Sequence, residues 1–182
     1  MNVWKLPQSA VIGGVVYKIN TDYRDILEII KYLTDERKPE YSRWMVALSL
    51  FYEGDIPVEY QEEAARYLSD FISYGAADEK QGPKLMDWDQ DAAIIVADIN
   101  KVAGKEIRSE NYLHWWTFLS YFNGIGEGQL STVVGIRSKK AKGKKLDKWE
   151  QEYYRDHKDK IDFQDKDAPD KAEIKEYFNK WL

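Results

Sequence analysis

Cysteine is absent from the 182 residues, which excludes disulfides, thiolate metal sites and cysteine nucleophiles. A chain without thiols also suits a reducing cytoplasm. Histidine is scarce. His114 and His157 are the only two, they lie in different segments, and neither has a second histidine at metal-ligand spacing. Long apolar runs are missing as well: the longest, "AAIIVA", is far short of the roughly 18–20 residues that span a bilayer. The opening "MNVWKLPQSAVIGG" carries neither a secretory nor a transit-peptide pattern. A protein of the cytoplasm with no membrane partner is therefore expected.

Signatures of catalysis are equally sparse. There is no G-x-S-x-G, no P-loop and no dinucleotide-binding glycine fingerprint. The lone "GIGEG" at 124–128 follows no strand and reads as a flexible loop. Asp87, Asp89 and Asp91 have the opening spacing of an EF-hand loop. Ala92, however, stands where the turn needs glycine, and Asp98 where a bidentate glutamate belongs. Carboxylates in the first turn of a helix, complementing its positive end, are the simpler reading. Nothing here compels an enzyme, and no cofactor or metal is implied.

What is present is charge, unevenly spread. Residues 137–148, "RSKKAKGKKLDK", hold seven of the 27 basic side chains and one of the 32 acids. That segment carries +6, leaving −11 on the rest of the chain. Arg137, Lys139, Lys140, Lys142, Lys144, Lys145 and Lys148 are thus the candidate partner contacts. Nucleic acid is disfavoured, because only one of the seven is arginine, no aromatic is interleaved, and an acidic remainder repels a polyanion. A solvated or partly disordered linker is the plain alternative.

The chain is long enough to bury its own core. "SAVI" and "VVYKIN" flank Gly13-Gly14, a pair suited to the positive φ angles of a tight hairpin. Asn20 or Thr21 is placed to cap a helix through Ile26, Leu27, Ile29, Ile30 and Leu33. Further helical periods run from Trp44 to Tyr52, from Tyr60 to Ile72 after Pro57, and from Trp88 to Val102, ending at Gly54, Gly75 and Gly104. "AADEKQGP" at 76–83 reads as a polar break, and residues 170–182 as a short amphipathic helix. The expected fold is mainly α, a multi-helix bundle with a short N-terminal β-hairpin and a charged helical C-terminal region. Its expected division is a core domain, 1–128, and a basic segment with C-terminal helices, 129–182.

The stretch "NYLHWWTFLSYF", 111–122, holds six aromatic residues in twelve positions. At 100° per residue Tyr112, Trp115, Trp116, Leu119 and Phe122 share one arc, with Phe118 extending it and His114 opposite. Core packing is favoured over a ligand pocket, since no polar groups converge on the stripe.

Taken together, "VIGGVVYKINTDYRDILEII", "WDQDAAIIVADINKVAGKEIRS", "HWWTFLSYF" and the run R-S-K-K-x-K-G-K-K-L, with Glu150 close behind, resemble the phage gene-product-fifteen family. That is a family of small proteins from long-tailed phages of Gram-positive hosts. The resemblance covers residues 10 to about 155. It implies a non-enzymatic tail-assembly chaperone, because such proteins are encoded near the tape-measure gene. The implied partner is the tape-measure protein, with the tail tube protein second; self-association is expected from the charge asymmetry, the basic segment of one copy meeting the acidic body of the next. The implied location is the host cytoplasm and not the mature virion. The rival from the same source is a structural virion component, such as a head–tail connector or tail-completion protein. The resemblance brings no catalytic, cofactor-binding or metal-binding residues with it.

Overall fold

The computed structural model describes residues 4–74 and 82–164. The amphipathic helix expected at 170–182 and most of the break expected at 76–83 lie outside these residues. The fold is mainly α with one antiparallel hairpin. Its elements are β1 (Ser9–Ile12), β2 (Val15–Lys18), α1 (Tyr23–Thr34), α2 (Glu40–Phe51), α3 (Gln61–Ile72) and α4 (Ala92–Ala103). Then follow α5 (Trp115–Asn123), α6 (Gln129–Ala141), α7 (Lys148–Asp156) and α8 (Lys158–Ile161). Two compact units result. The first comprises residues 1–82 and 97–125, the second 83–96 and 126–182, so the boundary at 96/97 falls within α4.

In the first unit the hairpin forms where expected. Gly13 and Gly14 have φ of +56° and +80°, the pair of positive angles a two-residue turn requires. Register pairs Val11 with Val16 and Ser9 with Lys18. Strand alternation then puts Ala10 and Ile12 into the core and leaves Val11 and Val16 outside. The turn presses on the residues before α3: a Cβ on Gly13 would sit 2.6 Å from the Tyr60 ring.

The N-cap of α1 is Asp22 rather than Asn20 or Thr21. Its Oδ1 accepts the Arg24 N–H, satisfying a first-turn donor, while Oδ2 accepts the Leu113 N–H at 2.9 Å. Asn20 instead donates its amide to the Leu50 carbonyl, and the Thr21 hydroxyl lies 2.7 Å from the Tyr112 hydroxyl. Tyr23 N–H to Leu113 O and Trp115 N–H to Thr21 O complete a short antiparallel pairing. The starts of α1 and α5 are thereby tied together, although about ninety residues separate them.

Residues 111–122 form core, as expected, but by a more specific arrangement than a helical stripe. Helix α5 begins only at Trp115, and His114 is its N-cap. His114 Nδ1 accepts the Trp116 N–H, so the ring proton is on Nε2, which donates to the Pro7 carbonyl at 3.1 Å. The two indoles then reach the C-terminal end of α3. Trp115 Nε1–H donates to Ile72 O, and Trp116 Nε1–H to Phe71 O, at 3.0 and 2.9 Å. The last carbonyls of α3 thus take donors from tryptophans that also fill the core, Phe71 O accepting the Tyr74 N–H at 3.3 Å as well. Tyr112, assigned to the buried arc by helical phase, lies before the helix and is 50% exposed.

Burial holds the His114 imidazole below its ordinary pKa, outweighing the opposing effect of its bond to Pro7. The unfolded chain therefore takes up a proton near pH 6.5, the folded chain only at lower pH. Stability is complete above that value and falls as the pH drops through it, since a proton on Nδ1 breaks the cap. Thermal melts from about pH 7 to pH 5 should show the wild type losing more stability than His114→Gln over the same interval.

Candidate functional site

The lysine-rich segment belongs to the second unit, where α6 buries Leu130, Val133 and Ile136. Val133 and Ile136 pack with Ile161 of α8, flanked by Ile94, Leu146, Tyr153 and Tyr154. The seven basic side chains singled out by composition do not form one charged surface. They divide into a buried arginine, two paired lysines and four exposed ones.

Arg137 is not a surface contact. It is 5% exposed and its guanidinium meets the Asp91 carboxylate at both ends, Nη1 to Oδ2 at 2.6 Å and Nη2 to Oδ1 at 2.9 Å. The remaining donors go to carbonyls: Nε to Ile161 at 2.6 Å, Nη2 to Lys160 at 2.9 Å, and Nη1 to Leu85 at 3.1 Å. Five N–H groups thus find five acceptors, the full capacity of the side chain. Two of those acceptors are the last carbonyls of α8, so Arg137 also caps that helix. The Phe163 ring lies 4.2 Å from the guanidinium carbon.

The same Asp91 Oδ2 also accepts the Asp87 N–H at 2.9 Å. Asp87 in turn accepts from the N–H groups of Asp89 and Gln90 and from Lys84 Nζ. The three aspartates with EF-hand spacing therefore form the turn leading into α4. Among the described residues no group of three His, Asp or Glu side chains is placed to hold a metal ion.

Lys139 and Lys140 are tethered. Lys139 Nζ donates to Glu150 at 2.7 Å and Asp147 at 2.9 Å, and these two carboxylates raise its pKa. Lys140 donates to the Asp162 carboxylate and the Tyr154 hydroxyl. Burial opposes the charge on Lys140, but those two bonds outweigh it and its pKa rises.

Lys142, Lys144, Lys145 and Lys148 remain exposed, without an ion pair among the described residues. They are held by an ordered turn rather than a loose linker. At the end of α6, Gly143 N–H bonds to Lys140 O and Lys144 N–H to Lys139 O, with Gly143 at φ +64°. This is the Schellman arrangement, in which glycine takes the left-handed position. At the start of α7, Asp147 and Glu150 form a capping box, Asp147 N–H donating to Glu150 Oε2 at 2.7 Å. Gly143→Ala should cost the second unit about 1 kcal/mol in urea denaturation, because a Cβ disfavours that backbone conformation.

Sequence reading missed Arg137 and Asp91 as a pair. A signal was present: Leu130, Val133 and Arg137 keep the spacing of one helix face, which puts the arginine on the apolar side of α6. No described helix is long and apolar enough to cross a membrane.

The family model described as Bacteriophage Gp15 protein matches residues 4–163. No curated protein and no solved structure matches the chain.

Proposed function

Because the chain belongs to the bacteriophage Gp15 protein family, we propose that it is a non-enzymatic tail-assembly chaperone. In this reading it binds the tape-measure protein and assists tail tube assembly. Family membership makes it a phage protein of the structural or morphogenesis type. The finer role rests on the demands of the client. A tape-measure protein is a long helical chain with apolar stripes, which aggregates unless covered before the tail tube closes round it. Covering it takes apolar surface on a stable scaffold, many adaptable contacts and no reaction centre.

The observation that carries this reading is the outward face of the first unit. The aromatic helix α5 is spent on the core and does not serve the client, since Trp115, Trp116 and Phe118 are all buried. Val11 and Val16 stand on the outer face of the hairpin instead, Val15 beside Ile12 stays 54% exposed at the turn, and Val58 is 79% exposed ahead of α3. A hairpin whose inner side is locked by Ala10 and Ile12 can carry apolar residues outside without losing its register. Copies of the chain associate on the client, the tail tube protein is met during assembly, and the work is done in the host cytoplasm.

Co-expression with the tape-measure protein, followed by size-exclusion chromatography with light scattering, tests this. The expected result is a soluble tape measure eluting with many copies of this chain, and purified virions that lack it. A tape measure that stays insoluble sinks the chaperone reading. Persistence of the chain in purified particles would identify a virion component such as a connector or tail-completion protein.

A further inference from the structure

Three of the four exposed lysines stand near the N-terminus of α7, the fourth, Lys142, being the C-cap of α6. Lys144, Lys145 and Lys148 surround the N-terminus of α7, the positive end of its macrodipole, where cations are disfavoured. Trp149, 56% exposed, follows in the first turn. The Schellman turn and the capping box fix this backbone, so the charge is presented in a set geometry, while Asp147 and Glu150 are spent on the cap and on Lys139. A negatively charged surface docked on the turn offsets the repulsion among the exposed lysines.

A surface of matching character lies on the first unit. Residues 53–70 hold six acids against one base, Arg66. Glu59, Glu62 and Glu63 gather at the start of α3, all exposed. The hairpin tip adjoins them, since Gly13 N–H donates to Glu63 Oε2 at 3.1 Å and Gly13 packs on the Tyr60 ring. Val15 and Val16 follow that tip on opposite faces of the hairpin, both exposed, and Val58 precedes Glu59. Exposed acids therefore adjoin exposed valines here, as lysines adjoin an exposed indole on the α6–α7 turn.

We propose that these two surfaces bind each other between copies of the chain. The lysine turn and Trp149 of one copy dock on the acidic start of α3 and the adjoining valines of the next. The inference rests on the self-association included in the proposed function and supplies its contact. Because each copy contributes a different patch at each contact, the interaction is heterologous. Repeated, it builds a ring or an open array. Opposite charge sets register and speeds encounter, and the apolar side chains exclude water. Nucleic acid is the poorer occupant of the turn: the segment's one arginine is buried against Asp91, and the chain outside residues 137–148 carries −11.

Sedimentation velocity of the full chain, over a wide concentration range at low and raised salt, tests the contact. Association is expected at low salt and should weaken as salt rises. K144E/K145E and E59K/E62K should each weaken it by about tenfold or more. An equimolar mixture of the two variants should associate again, because each then offers the charge the other lacks. Thermal melts matching the wild type separate a lost contact from a lost fold.

A monomer at every concentration overturns the proposal. So does association indifferent to both variants, or a mixture that fails to recover. DNA binding lost in K144E/K145E while self-association persists would assign the lysine turn to nucleic acid. Tape-measure solubility, measured on the same variants, keeps this inference distinct from the chaperone reading. A chain that associates as described but leaves the tape measure insoluble retains the contact and loses the chaperone role. A monomeric chain that still solubilises the tape measure does the reverse.

Discussion

Replacing Asp91 by alanine is expected to destabilise the second unit by about 3–5 kcal/mol, the usual cost of breaking a buried ion pair. The size follows from what is left behind. The Arg137 side chain is 4% exposed and the Asp91 side chain 1% exposed. Removing the carboxylate strands a guanidinium, which cannot lose its proton, in a site closed to water. The damage also spreads. Asp91 accepts the Asp87 N–H and stands at the start of α4, while Arg137 caps the last carbonyls of α8 and holds the Leu85 carbonyl. Urea denaturation with hydrogen exchange should therefore show lost protection around residues 85–96, 133–141 and 158–162 together. Removing both charges, as in D91L/R137M, should recover part of the loss, because no buried ion remains unpaired. Equal losses in the single and double variants would mean that the carbonyl caps, not the ion pair, dominate.

Trp116→Ala should cost the first unit about 3–5 kcal/mol, the range for deleting a large buried aromatic. The indole is 2% exposed and stacks on Phe71 with ring centroids 5.6 Å apart. Its edge-on neighbours are Tyr74 at 4.8 Å and His114 at 5.9 Å. Alanine leaves a cavity among these rings and removes the shorter of the two bonds to the Phe71 carbonyl, leaving the Tyr74 N–H at 3.3 Å. Trp116→Phe isolates the second effect. It keeps most of the apolar volume but cannot donate, and should cost about 1–3 kcal/mol. Denaturant midpoints of the two variants give the comparison. If phenylalanine proves neutral, the hydrogen bond to α3 contributes nothing net, and packing alone explains the tryptophan.

The hairpin was legible because its information is local: Gly-Gly between two apolar runs dictates both turn and register. The helices were legible from their apolar period, and the aromatic stretch was correctly read as core. The α1 cap was not legible, because Asn20, Thr21 and Asp22 are all capping residue types. The deciding factor is the Leu113 N–H, which reaches Asp22 from far along the chain. The helical wheel through 111–122 misplaced Tyr112 and His114 for a related reason. It assumed a helix across His114, whereas His114 has φ −58° and ψ 137° and the helix starts after it.

The candidate surface was half legible. Composition located the lysine-rich segment but treated its seven charges alike. Burial separates Arg137, tethering separates Lys139 and Lys140, and only Lys142, Lys144, Lys145 and Lys148 keep their charge outward. The sequence by itself determined the helical class, the hairpin, the uneven charge and the likeness to a phage family, since each is written in residue type and short-range spacing. Tertiary structure alone decided which polar groups are spent and which are free. A charge is spent when a partner elsewhere in the chain comes within hydrogen-bond reach, and most fully where water is also excluded, as for Arg137 and Asp91, 46 residues apart.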